Sequence, residues 1–160
     1  MSSNRNVVIR RAVDQDLTAI VALLADDELG ATRESPDNLA PYRRAFEVID
    51  LDQHQLLVVA ERNEVVVATM QLSRLAGLSR QGAFRAQIEG VRVASSERGS
   101  GLGGYLMEWA VDQARRWGCQ VVQLTSDKSR RDAHRFYQRL GFTPSHEGFK
   151  LTITPDPSGD

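Results

Sequence analysis

An α/β domain on a mixed, mostly antiparallel sheet flanked by helices, with one parallel strand–helix–strand crossover, is the fold class this sequence predicts. Three observations carry the prediction. Apolar segments of strand period and of helix period succeed one another along the chain. The polar break Glu61-Arg62-Asn63-Glu64 joins two β-branched runs, as a hairpin turn would. A glycine-rich stretch from Arg98 to Gly104 lies between a strand and a long helix that leads into another strand, the order of a crossover unit.

The run Val7–Val13 reads as the first strand, ended by Asp14 as a helix N-cap. Leu17, Ile20, Val21 and Leu24 recur at helical spacing, and Gly30 is read as the terminator. Pro41 suits the first turn of a second helix carrying Phe46, Val48 and Ile49. The hairpin strands are Gln55–Ala60 and Val65–Leu72, and a loop with Gly77 and Gly82 leads to a strand over Phe84–Val93. A long helix is predicted over Leu102–Trp117, with Leu106, Trp109, Ala110 and Ala114 as its inner stripe and Gly118 as its end. The strand Gln120–Thr125 follows. Ser129 with Asp132 has the spacing of a capping box for a helix whose stripe is Ala133, Phe136, Tyr137 and Leu140, closed by Gly141. Terminal strands are expected from Phe142 onward and over Lys150–Thr154. Residues 1–154 read as one domain, and 155–160 as a short tail.

Composition sets the class. A chain of 160 residues, 41% hydrophobic and 26% charged, can bury a core, and disorder is a poor reading. No apolar run reaches the roughly 20 residues of a spanning helix, and the start MSSNRN lacks a signal-peptide profile, so the cytosol is expected and no membrane partner is. Twenty basic and 21 acidic residues nearly cancel, which gives no field for nucleic acid. The single Cys119 provides no disulfide and reads as a small hydrophobe. His54, His134 and His146 are too scattered for a metal site, and no metal is expected.

The stretch Arg98-Gly99-Ser100-Gly101-Leu102-Gly103-Gly104 is the chemical centre of the sequence. The first N–H groups of a helix lack internal partners and carry partial positive charge, and glycine lets such a backbone approach an anion closely. Arg98 adds a charge-assisted contact. The stretch is therefore a candidate pyrophosphate cradle. A nucleotide P-loop would need a lysine after the glycines, and none follows. Gly99, Gly101 and Gly104 do satisfy the dinucleotide pattern G-x-G-x-x-G, with Asp127 as a ribose-binding acid. That pattern wants its strand to run almost straight into the first glycine, whereas Ala94–Arg98 intervene.

The segment IEGVRVASSERGSGLGGYLMEWAVDQA resembles the GNAT superfamily of acyl-CoA-dependent N-acyltransferases, with Arg98, Gly101 and Gly103 filling its [Q/R]-x-x-G-x-[G/A] signature. DAHRFYQRLGF is similar to the second motif of the family, matched at Ala133, Phe136, Tyr137, Gly141 and Phe142. This cofactor half, and the DAHRFY helix above all, resembles aminoalkylphosphonate N-acetyltransferases. The likeness is detailed over residues 84–151 and elsewhere rests on the order of elements. Where the second motif usually has asparagine, three residues before its alanine, this chain has Arg130, which puts the amide contact in doubt and leaves an arginine either on a CoA phosphate or in solvent.

The resemblance implies acetyl-CoA as co-substrate and direct attack by an amine in a ternary complex. Val91, Val93 and the residues Arg98, Gly99, Ser100, Gly101, Leu102, Gly103 and Gly104 would hold the cofactor, with Arg130 as a further contact. Glu89 matches the general-base position and Tyr137 the general acid that protonates the CoA sulfur. Strict alternation would place Glu89 on the face of Val91 and Val93; Gly90 permits a bulge that turns the face over and frees an N–H near Val91 or Val93 for the thioester oxygen. Other roles stay open: Glu89 as a salt-bridging strand carboxylate, Tyr137 as a core residue, and the whole chain as a non-catalytic acyl-CoA sensor. In relatives the first helices line the acceptor pocket, and the acidic stretch Asp26–Glu34 would draw a cationic amine, from a small molecule or a peptide. Monomer and homodimer are both compatible with the sequence.

Overall fold

The structure, a computed structural model, describes residues 4–154; the tail read over residues 155–160 lies outside the described residues. The chain forms two compact units, one ending at Leu124 and the other beginning at Thr125.

The first unit is a five-stranded sheet in the order β1-β2-β3-β4-β5, made of Val7–Arg11, Gln55–Arg62, Val65–Leu75, Phe84–Val93 and Cys119–Leu124. Neighbours are antiparallel except β4 and β5, which are parallel. The link between those two is α5 (Leu102–Arg116), the predicted crossover helix. The β2–β3 hairpin closes through Asn63 (φ 50°) and Glu64 (φ 64°), the paired positive dihedrals that match the twist of a two-residue turn. Between β3 and β4, the one-turn α4 (Ser79–Gly82) carries Arg80, Gln81 and Gly82 at φ 54°, 61° and 73°. That is a left-handed turn, held by the Gly82 N–H on the Leu78 carbonyl at 3.0 Å.

Side-chain alternation divides the core into two layers. On one face, Val59 joins Ala12, Phe46 and the inner side of α1 (Leu17–Ala25), with Leu57 at the margin. On the other, Val58, Met70, Leu72, Ala86 and Ile88 are buried along with Leu102, Leu106, Met107, Ala110 and Ala114 of α5. Trp109, predicted to lie in that stripe, is only half-buried.

Asp14 does not cap α1. It opens a 3-10 turn, Asp14–Asp16, and the buried Asp16 accepts from the Val13 N–H at 2.8 Å. Asp16 also receives the fork of Arg10, at 2.7 and 2.9 Å, and Arg10 reaches Glu61 on β2 as well. This fork, helped by the Val13 N–H, holds the Asp16 carboxyl below its ordinary range.

Gly30 is not a terminator either. It lies inside α2 (Glu28–Arg33), where a Cβ would sit 1.9 Å from the Leu24 carbonyl oxygen. Glycine is there because α2 rests on the last turn of α1. Pro41 does occupy the first turn of α3 (Ala40–Leu51).

The second unit contains α6 (Arg131–Arg139), ended by Gly141 at φ 94°. The predicted capping box is not formed: the Ser129 hydroxyl donates to Asp127 at 2.6 Å, and Arg130 holds the cap position. The expected terminal strands are absent among the described residues. Phe149, Leu151 and Ile153 alternate as a strand would, yet all three are at least 88% exposed. Alternation supplies a face, but a strand also needs a ladder partner, and this segment makes none.

Candidate active site

Strand β4 carries the central feature. Thr69 pairs with Arg92 and Gln71 with Glu89, so Gly90 and Val91 together stand opposite Met70 alone. This is a β-bulge, and Gly90 supports it at φ 60°. The extra residue inverts the alternation. Val93 pairs with Ala68, on the face that carries α5, whereas Glu89 lies in a row with Gln71 and Leu57 on the face of α1 and α3. Glu89 thus escapes the core face that strict alternation would have given it and stands exposed.

The apolar cluster of that face stops at Leu57, and the row after it is polar. The next row is Gln55, Ser73, Gln87 and Gln123, one residue from each of four strands. Gln87 Nε2 donates to Glu89 Oε1 at 2.7 Å, and Gln123 Nε2 donates to Gln87 Oε1 at 3.0 Å. Gln71 Nε2 donates to Gln55 Oε1 at 2.7 Å. None of these glutamines was singled out from sequence.

The acidic stretch expected to meet the acceptor takes part in the fold. Asp27 accepts from the Gly30 N–H at 2.5 Å and pairs with Arg92 at 3.1 Å, which ties α2 to β4 beside the bulge. Glu34 accepts from the Tyr42 hydroxyl at 2.6 Å.

After β4 the chain makes a 3-10 turn, Ser95–Glu97, and then the glycine-rich stretch. Arg62, at the end of β2, grips Glu97 with two guanidinium nitrogens at 3.0 and 3.2 Å, anchoring the approach to the turn. Gly99 (φ 79°) and Gly101 (φ 83°) hold conformations that L residues resist. The first intrahelical bond of α5 runs from the Tyr105 N–H to the Gly101 carbonyl at 3.1 Å. The N–H groups of Leu102, Gly103 and Gly104 therefore precede any helical acceptor, and Leu102 is met by the Ser100 hydroxyl at 3.3 Å. A Cβ at Gly99, Gly101 or Gly104 would find no atom within 4 Å, so packing does not require glycine at these places. With Arg98 exposed, the N–H groups of Gly103 and Gly104, which precede any helical acceptor, fit an anionic ligand such as a pyrophosphate.

In the second unit, Tyr137 is half-buried and edge-on to Phe136 and Phe142, with ring centres 5.2 and 5.9 Å away. The start of α6 borders a concavity lined by Ser129, Arg130, Arg131, Asp132 and Ala133. In the first unit, burial raises the Cys119 thiol above its ordinary range, in keeping with a packing role.

A bulged strand feeding a glycine turn at a helix N-terminus, within a mixed sheet with one parallel pair, agrees with the fold that the resemblance to the GNAT superfamily implied. The chain belongs to the Acetyltransferase (GNAT) family, whose profile matches residues 17–142. It is 30% identical over 145 residues to the aminoalkylphosphonate N-acetyltransferase of Salmonella typhimurium, covering 91% of this chain and 90% of that protein. A crystal structure from Bacillus halodurans C-125, described as a transcriptional regulator, superposes with a TM-score of 0.89 at 45% identity, covering 92% of this chain and 99% of that one. Glucosamine-6-phosphate N-acetyltransferase from Arabidopsis thaliana superposes at 0.71 with 22% identity, covering 94% and 99%, and shows the shared fold. Among the described residues, no helix is long and apolar enough to cross a membrane.

Proposed function

We propose that the chain is an acetyl-CoA-dependent N-acetyltransferase that acetylates a primary amine of a small molecule or peptide by direct attack in a ternary complex, residues 1–154 serving as one catalytic domain. The family match runs through both compact units, which supports the single-domain reading. The observation that carries the catalytic reading is the bulge at Gly90, which delivers Glu89 to an exposed polar part of the sheet face.

In this reading, the N–H groups at the start of α5, with Arg98, hold the pyrophosphate, and Arg130 adds a contact to a phosphate. Acetyl-CoA supplies an acetyl group activated as a thioester. Glu89 takes a proton from the incoming ammonium, directly or through a water, and exposes the nitrogen lone pair. A backbone N–H freed at the bulge, near Val91 or Val93, steadies the negative charge on the thioester oxygen as the C–N bond forms. The C–S bond then breaks, Tyr137 gives its phenolic proton to the departing sulfur, and the acylated nitrogen gives up its second proton, which returns to the tyrosinate. The products are an N-acetylated amine and the free thiol of CoA.

A second reading is a non-catalytic acyl-CoA sensor, and the regulatory description of the Bacillus halodurans neighbour favours it. Thiol release separates the two. Acetyl-CoA offered with a panel of amines, amino acids, polyamines and peptides should yield thiol in step with acetylated product. Binding of acetyl-CoA without thiol release from any amine would leave the sensor.

A further inference from the structure

The polar face beside Glu89 has a hydrogen-bond direction. A carboxylate only accepts, so Gln87 must present its amide nitrogen to Glu89. Its carbonyl oxygen must then receive the amide nitrogen of Gln123. The chain has one consistent sense and ends on Gln123 Oε1, which accepts from no side chain among the described residues. The pair Gln71–Gln55 likewise uses the Gln71 nitrogen and leaves its oxygen. The two rows of the face therefore offer oxygens, namely the Glu89 carboxylate, Gln123 Oε1 and Gln71 Oε1, on a surface that is only half-buried.

Of the neighbouring arginines of this unit, Arg92 and Arg74 are engaged elsewhere. Arg92 is paired with Asp27. Arg85, one row further along β4 on the same face, has a guanidinium nitrogen 3.9 Å from where a Cβ on Gly77 would lie. Arg74 lies over the Phe84 ring, 4.0 Å from its centre, on the opposite face.

We infer that this row of aligned amides is the acceptor-specificity surface, and that it selects donor-rich amines, an ammonium accompanied by hydroxyl or further amino groups, over amines that carry an anionic group. The inference rests on the acetyltransferase reading. An ammonium and its neighbouring N–H or O–H groups find oxygens already oriented on a rigid sheet, the arrangement that costs least to bind. A phosphonate or carboxylate would meet the Glu89 carboxylate and carbonyl lone pairs, offset only by the second N–H of each amide, with no cation directed at it from these rows. Gln87 and Gln123 also act on catalysis at one remove, as positioning residues that fix the Glu89 rotamer.

The test measures thiol release from acetyl-CoA with spermidine, glucosamine and aminomethylphosphonate, for the parent and for Gln123→Met and Gln123→Lys. The parent should prefer spermidine or glucosamine to aminomethylphosphonate by at least tenfold in kcat/KM. Gln123→Met keeps the side-chain length and removes the terminal amide, both the oxygen offered to the amine and the Nε2 donor to Gln87; it should raise KM for the preferred amine about three- to tenfold, the worth of one hydrogen bond, and lower kcat through the loosened Glu89, with acetyl-CoA affinity unchanged. Gln123→Lys should shift preference towards aminomethylphosphonate. Best turnover of aminomethylphosphonate by the parent, or an unchanged KM in Gln123→Met, would overturn the specificity inference and leave the acetyltransferase reading standing. No thiol release with any amine would overturn both.

Discussion

Glycines 101 and 104 look alike in sequence and should respond oppositely to substitution. Gly101 sits at φ 83°, where an L residue is strained by roughly 1–2 kcal/mol. Gly104 lies in the first turn of α5 with no atom within 4 Å of a would-be Cβ, so alanine there should gain about 0.5–1 kcal/mol of helix preference. In a domain of this size, each kcal/mol moves Tm by about 2–4 °C. Gly101→Val should thus lower the apo Tm by about 2–8 °C, and Gly104→Ala should raise it by about 1–4 °C. Ligand binding separates them again. Acetyl-CoA at a hundredfold excess over Kd contributes about 2.7 kcal/mol, or about 5–11 °C in the parent. Gly104→Ala keeps the backbone N–H and should keep that shift, whereas Gly101→Val deforms the cradle and should lose most of it. Thermal melts with and without acetyl-CoA read all four quantities. A Gly101→Val protein that retains the full acetyl-CoA shift, or a parent that shifts with NADH and not with acetyl-CoA, would refute the cradle.

Asp16→Asn should cost roughly 1–3 kcal/mol by leaving the Arg10 fork half-satisfied. Because the Asp16 carboxyl titrates lower in the folded state than in the unfolded chain, its stabilisation is present above the ordinary aspartate range and lost as pH falls from there through the lower folded-state pKa; urea midpoints should drop on acidification in the parent and less in Asp16→Asn. Gly30→Ala should lower the urea midpoint, since a methyl at 1.9 Å from the Leu24 carbonyl forces α2 off α1; an unchanged midpoint would show that this helix contact is dispensable. Tyr137→Phe should melt within a few degrees of the parent and bind acetyl-CoA, yet turn over at least tenfold more slowly, with a smaller deficit for acetyl donors whose leaving thiol is more acidic. Equal turnover would make Tyr137 a packing residue.

The elements nearest the site were legible where local pattern and tertiary need agree. Strand β4 and helix α5 begin at the residues their periodicity marks, because Phe84–Val93 and Leu102–Arg116 each pack one face against the other. The face of Glu89 was legible only through Gly90, since alternation alone sends that carboxylate into the core and the bulge reverses it. Gly30 was misread because a close approach between helices leaves the same glycine in the sequence as a helix end. The amide row escaped notice for a different reason: Gln55, Ser73, Gln87 and Gln123 become neighbours through the register of four strands, and no single strand shows that register. Phe149, Leu151 and Ile153 show the converse, a strand pattern without a pairing partner among the described residues.

The central claim is that Glu89, turned outward by the bulge, is the base of an acetyl transfer. The direct measurement is the pH dependence of kcat/KM for Glu89→Gln beside the parent, read by thiol release with an accepted amine. Loss of the base should cost about 10²–10⁴-fold in kcat, leave acetyl-CoA affinity nearly unchanged, and flatten the acidic limb of the profile. A Glu89→Gln enzyme with the parent's rate and the parent's acidic limb would contradict the account and move the proton to another acceptor.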